Sequence, residues 1–523
     1  MSGKIRLYVE TIKYLKPGQV FWRVAKRMGV KCALRGIIIS PRAGCRPILN
    51  VEELDHDPVF LARFSAEELM KDRVTFLHEE EMFCWNEPWH REGRSHLWNF
   101  NLHYFEFLHP LTKQFQETGN REYLQKTVQM IRGWMKHNPQ RDGGDGWSAY
   151  TISLRLTNWM AYYSAVQPFL EASFREELEA SIYEQYLYLS GHLERDILGN
   201  HYFENLKALV LCALFFDDDA ALRGFSPAFL EECTREILPD GMHFELSPMY
   251  HKIVLEGLLR VDAGFRRVGV HNSELERKIW DMTTAIFSME RGLSHTPLFN
   301  DSGDNVAKSL CALLKCASKY LDITPVYRPV LPNSGYYFFT NGDWKLIVDA
   351  GAAGPDYIPG HSHCDAMSFE LYRDGEPYLV NCGTYAYQCD QRHYFRSTQA
   401  HNTVQVEDTE QSEIWSTFRL AGRSRTRVLE VMKDGIRMEM TDYKGNRIQR
   451  EIGFYSDSLY IRDCADGQKI RSHLHSISKI DINSNGEISG GEAMYAPEFG
   501  VLQTIHKITV IGSGVLEITI PLG

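Results

Sequence analysis

The feature that most constrains this chain is a change of hydrophobic period near residue 330. From about Ser65 to Leu321, apolar residues recur at three- and four-residue spacing, as in Tyr123–Ile131 and Leu206–Leu214. That is the pattern of one helix face. Polar breaks such as residues 138–145 separate these runs, so many antiparallel helix pairs are predicted. After Pro332 the texture becomes alternating and β-branched, as in Tyr336–Phe339, Lys345–Val348, Val428–Val431 and Leu459–Arg462. Turn signals such as Asn341-Gly342-Asp343 fall between these runs. The 523 residues are too many for one compact core. The sequence therefore predicts an all-α domain over residues 49–330 and antiparallel sheets packed as a sandwich over 331–523, with a ligand cleft at their junction.

Residues 1–48 stand apart. They hold 11 Lys and Arg against one acid, Glu10, a charge of +10; with −11 for the whole chain, the other 475 residues carry −21. Leu7, Ile12, Leu15, Val20, Phe21, Trp22 and Val24 suggest short amphipathic helices broken at Pro17-Gly18. The segment is read as an arm that either straps the acidic body or contacts a membrane surface peripherally. The overall negative charge argues against general nucleic-acid binding. Eleven cysteines, an odd number without a Cys-x-x-Cys pair, and no cleavable signal predict a cytoplasmic protein with reduced thiols, peripheral at the inner membrane face if the arm docks there.

Chemistry-bearing residues gather between Gly360 and Val404. His361, His363 and Asp365 are spaced to share a face if the segment is a strand, and imidazoles so placed can move protons or ligate a metal. Four upstream clusters fall at helix ends or in loops: Trp98–Phe105, Trp147–Trp159, Gly199–Asn205 and Asp240–His251.

In this order, and on an α-then-β layout, the clusters resemble the heparinase II/III family of polysaccharide lyases, which includes some alginate lyases. The resemblance runs from about Trp98 to His401. It implies an incomplete (α/α) toroid followed by an antiparallel β-sandwich, and cleavage of an acidic, uronate-containing polysaccharide by β-elimination. That reaction removes the C5 proton α to a carboxylate. It needs donors that stabilise charge on the carboxylate, a base for the proton and an acid for the leaving oxygen. By resemblance, Asn200 and His201 grip the carboxylate. Tyr250 is the principal acid/base, and His361 is a second proton-transfer group. Tyr387 supports as an acid, and Asn101, His103 and Arg155 line sugar subsites. Which of Tyr250 and His361 is the base depends on the C5 configuration.

The resemblance also implies a metal, commonly zinc, on His363, Asn381 and His401; no organic cofactor is implied. Relatives have aspartate where Asn381 stands. An amide lacks that negative charge, so weak or partial zinc binding is expected. Cys364 could substitute as a thiolate, and Asp365 could orient an imidazole. Two other readings are a catalytically silent polysaccharide-binding relative in a capsule or exopolysaccharide pathway, and a glycoside hydrolase. A hydrolase needs two carboxylates, for which Asp301 and Asp304 are the candidates.

Overall fold

The fold is that of a computed structural model describing residues 3–139 and 144–523, so part of the break at residues 138–145 lies outside the described residues. The helical region alternates inner and outer helices. The outer helix Ala172–Ser190 buries Phe174, Leu178, Ile182, Tyr186 and Leu189, one stripe at three- and four-residue spacing. The inner helix Gly199–Phe215 buries every residue except His201. It packs between Ala149–Val166 and Pro248–Arg267, which explains why its sequence lacks a polar stripe. One element departs from the all-α expectation. Arg73–Phe76 and Glu79–Met82 form a small antiparallel hairpin through Leu77 and His78, both at positive φ.

The named strands of the β domain all pair antiparallel, as its alternating residues predict. Its sandwich is one continuous 13-stranded sheet curled on itself. Two 19-residue strands, Ser458–Ser476 and Gln503–Pro521, pair along almost their whole length and shift register between Cys464 and Lys469. Strands this long reach both layers, so the two faces stay joined. The end of the first strand meets Leu379, linking it to the meander of Tyr336–Asn341, Trp344–Asp349, Phe369–Arg373 and Glu376–Leu379. Leu346, Met438, Ile461 and Ile518 fill the core inside the curl.

The N-terminal arm lies across both domains as helices α1 (Gly3–Ile12) and α2 (Pro17–Arg27). Thr11 Oγ1 accepts a hydrogen bond from Trp415 Nε1 of the β domain at 3.0 Å. Gln19 Nε2 donates to the carbonyls of Ile197 and Tyr357, one from each domain. No helix among the described residues is long and apolar enough to cross a membrane.

Candidate active site

A cavity of about 910 Å³ runs between the domains and into the toroid. Three inner helices present one face each to it, through Tyr150, Leu154 and Thr157; Asn200, Glu204 and Lys207; and Tyr250, Ile253 and Glu256. All three begin there, at Ala149, Gly199 and Pro248, so three helix N-termini converge on one cavity. Unpaired N–H groups and the positive ends of the helix dipoles make such a place favourable for an anion.

Local sequence explains two of these starts. Ser247 caps the third helix, accepting from the Tyr250 N–H, and Pro248 supplies the fixed φ of a first helical position. The second helix begins from a strained Leu198 (φ 68°) into Gly199 (φ 57°). A side chain at Gly199 would place its Cβ 2.7 Å from Glu245 Oε1, so space and backbone both require glycine. This tight entry turns Asn200 and His201 into the cleft.

Asn200 Nδ2 donates to the Tyr150 hydroxyl at 3.2 Å, while its Oδ1 has no partner among the described residues. His201 packs at a tilt against Tyr150, ring centroids 4.5 Å apart, with Nδ1 3.1 Å from Glu194 Oε1. Burial opposes the imidazolium, but the Glu194 carboxylate outweighs it and raises the His201 pKa. The Tyr250 and Tyr387 hydroxyls share a hydrogen bond of 2.7 Å, and the Tyr250 ring lies 4.1 Å from that of His361. Burial, then the neighbouring Tyr387, push the Tyr250 phenol well above its ordinary value, so it rests protonated.

Behind His361 sits Asp301, fully buried. It accepts from His361 Nδ1 and His363 Nε2 at 2.8 Å each, from Thr384 Oγ1 at 3.2 Å, and from Arg392 through both terminal nitrogens. Burial opposes its charge, but Arg392 and the two imidazoles overcome this and hold it well below the usual carboxylate range. A carboxylate only accepts, so His361 Nδ1 carries a proton and its Nε2 is the other ring nitrogen, 3.8 Å from Glu245 Oε2.

Of the residues singled out in the sequence, Asn101, Asn200, His201, Tyr250, His361 and Tyr387 line the cavity. His103 and Arg155 do not. His103 is buried and accepts from Trp134 Nε1; Arg155 is buried over the Trp134 ring and bonds Gln185 and the Gly146 carbonyl. Helical geometry gives the reason. His103 is two residues beyond Asn101, about 200° around the helix, and Arg155 is five beyond Tyr150, about 140° around. Tyr150, not Arg155, is thus the member of its cluster that meets Asn200 and His201 at the cavity. Its place in the first turn of a helix beginning at the junction was the available signal. Glu245 also faces the site, and its Oε2 has no hydrogen-bond partner among the described residues.

The segment around His361 is irregular rather than a strand. His361 and His363 nonetheless converge, because both bond to Asp301. Asp365 orients no imidazole; its Oδ2 accepts from the Asn300 N–H at 2.9 Å. The proposed hydrolytic pair fails, since Asp301 is locked beneath His361 and Asp304 bonds His295 Nδ1 and the Thr296 N–H. Neither lines the cavity.

For the metal, His401 Nδ1 donates to the Ser397 carbonyl and His363 Nε2 to Asp301. Their other ring nitrogens face each other at 3.1 Å. The third group does not fit. Asn381 Oδ1 accepts from the Asn402 N–H, which leaves only its amide N–H₂, a donor, without a partner. Burial raises the Cys364 thiol, which donates to the Ser412 carbonyl. No group of three or more His, Cys, Asp or Glu among the described residues is arranged to hold a metal. Two imidazoles fall short of the three protein ligands that zinc sites use.

A helical toroid closed by a curled β-sandwich, with amide, imidazole and phenol groups meeting where helix N-termini converge, defines a class of two-domain, cleft-bearing proteins suited to an acidic ligand. Within that class the chain belongs to the heparinase II/III family. The models of the heparinase II/III N-terminus and the heparinase II/III-like C-terminal region match residues 63–325 and 324–497. It is 24% identical over 349 residues to a heparin-sulfate lyase of Pedobacter heparinus, covering 59% of this chain and 52% of that protein. It is 22% identical over 443 residues to one of Bacteroides stercoris, covering 72% and 63%. The chain thus spans about half to under two thirds of the length of these curated relatives. The fold is similar to that of heparinase III, with a TM-score of 0.68 at 14% identity, covering 97% of this chain and 92% of that one. It is also similar to a heparan sulfate lyase of Pedobacter heparinus, with a TM-score of 0.55 at 17% identity, covering 87% and 82%.

Proposed function

We propose that this protein is a polysaccharide lyase, a carbon–oxygen lyase that cleaves a uronate-containing polysaccharide by β-elimination. The observation that carries this reading is the meeting of Asn200, His201, Tyr250, His361 and Tyr387 where three helix N-termini converge. The uronate carboxylate docks against those N-termini, Asn200 and His201, which stabilise charge developing on its oxygens as the C5 proton leaves. Resting protonation supports a division of labour. His361, with Nδ1–H held by Asp301, offers Nε2 as base; Tyr250, kept protonated by burial, acts as acid to the leaving oxygen. Tyr387 orients the Tyr250 phenol through their shared hydrogen bond.

The cavity wall bears on the polymer. Lining it are six carboxylates, Glu79, Glu106, Glu194, Glu204, Glu245 and Glu256, against four Lys and Arg. Two of those four are already engaged, Arg63 by Glu106 and Lys207 by Glu204. A cleft with so few free cations favours a uronate polymer with little sulfation. Matched sulfated and unsulfated uronate polymers test this by the ultraviolet absorbance of the unsaturated product. Cleavage concentrated on unsulfated polymers is expected. Binding without cleavage of any polymer would leave a silent polysaccharide-binding protein.

A further inference from the structure

The N-terminal arm is built inside out. α1 and α2 bury polar or small residues, Thr11, Gln19 and Ala25, and turn Thr11, Gln19 and Arg23 toward the cavity. Their opposite faces carry large apolar side chains in water. Ile5, Val9 and Ile12 are each about half exposed, and Val20, Phe21, Val24 and Met28 are 41%, 61%, 53% and 75% exposed. The spacings 5, 9, 12 and 20, 24, 28 make one stripe per helix. A surface helix of a globular protein does the reverse, so these stripes call for an apolar partner outside the chain.

Charge indicates which partner. Lys4, Arg27, Lys31 and Arg35 have no carboxylate partner among the described residues, although the rest of the protein is strongly acidic. Apolar stripes flanked by free cations match the interface of an anionic bilayer. A two-fold dimer through this face would set one arm against another, each at +10 over residues 1–48, and would be opposed by that repulsion. We propose that α1 and α2 dock the protein on anionic lipid, with Phe21, Val24 and Met28 in the headgroup region. Because the same helices wall the cavity, docking sets the cleft beside the lipid surface, within reach of polymer held there.

The test is flotation of the full chain with phosphatidylcholine vesicles, with and without phosphatidylglycerol, at low and high salt. Binding is expected only with the anionic lipid and should weaken with salt. Phe21→Ser/Val24→Ser should reduce it about tenfold or more, since withdrawing one fully exposed large apolar side chain from water is worth about a factor of ten and these two are each little more than half exposed. Thermal unfolding of this variant should match the parent, as both side chains are exposed. Arg27→Glu/Lys31→Glu should also reduce binding. No flotation with either lipid overturns the proposal. So does flotation that the Phe21/Val24 variant leaves unchanged, which would mean general charge attraction. Arm-dependent dimerisation in light scattering without lipid binding overturns it in favour of a second copy.

Discussion

The hydroxyls of Tyr250 and Tyr387 are partners in one 2.7 Å hydrogen bond, and their separate removal tests the assignment of the acid. Tyr250→Phe deletes one oxygen and leaves the ring packed against His361. Its stability cost is that of one hydrogen bond, about 1 kcal/mol. If Tyr250 transfers the proton, turnover should fall about 10²–10⁴-fold, or about 2.7–5.4 kcal/mol of barrier. Tyr387→Phe removes only the neighbour that orients the Tyr250 phenol. Its loss should equal that hydrogen bond, about 0.5–1.5 kcal/mol, or roughly two- to tenfold. The assay is initial rate of ultraviolet absorbance gain, on whichever uronate polymer the parent cleaves, with unfolding curves as the control. Wild-type turnover in Tyr250→Phe refutes the argument. A larger loss in Tyr387→Phe than in Tyr250→Phe would move the acid role to Tyr387.

Glu194→Gln should lower the His201 pKa, read by NMR titration of the imidazole, because the carboxylate is what raises it. The raised His201 value contributes stability that is complete below about 6.5 and lost as pH rises through the folded value; the lowered Glu194 value contributes above about 4.5 and is lost as pH falls. The variant's deficit should therefore be greatest between those limits and shrink toward alkaline pH, as pH-dependent denaturation would reveal. Asn381→Asp supplies the missing carboxylate beside His363 and His401, so elemental analysis should find more zinc in it than in the parent; equal contents would show that the amide is not what limits the site. Gly199→Ala meets both positive φ and Glu245, so it should cost at least about 1–2 kcal/mol of stability and reduce turnover by displacing Asn200 and His201.

The two-domain layout was legible because period is a local property: helical spacing before residue 322 and alternation after 332 survive any tertiary context. The continuity of the sheet was not, since pairing Ser458–Ser476 with Gln503–Pro521 is a long-range event without a local mark. Asn101, Asn200, His201, Tyr250, His361 and Tyr387 could be placed in the cleft from motif order. His103 and Arg155 could not be separated from their cavity-facing neighbours until helix rotation was known. Under the hydrolase alternative, the sequence offers Asp301 only as one of a carboxylate pair. Its aspartate character is equally suited to neutralising Arg392 and holding two imidazoles, and only burial tells the roles apart. The arm's apolar residues were visible, but whether they faced in or out depended on the polar contacts of Thr11 and Gln19.

The three helix starts at Ala149, Gly199 and Pro248 have a consequence for how the cleft responds to acidity. A binding site made of lysines and histidines loses or gains its attraction as protons move. Peptide dipoles take up no proton, so their field at the cavity stays constant across the pH range in which the protein remains folded. Affinity for a uronate should then fall at alkaline pH only by the share that protonated His201 supplies, while the dipole share persists. Recognition in this cleft thus draws on one source that pH leaves in place, the peptide dipoles, and on one, the His201 imidazolium, that rising pH withdraws.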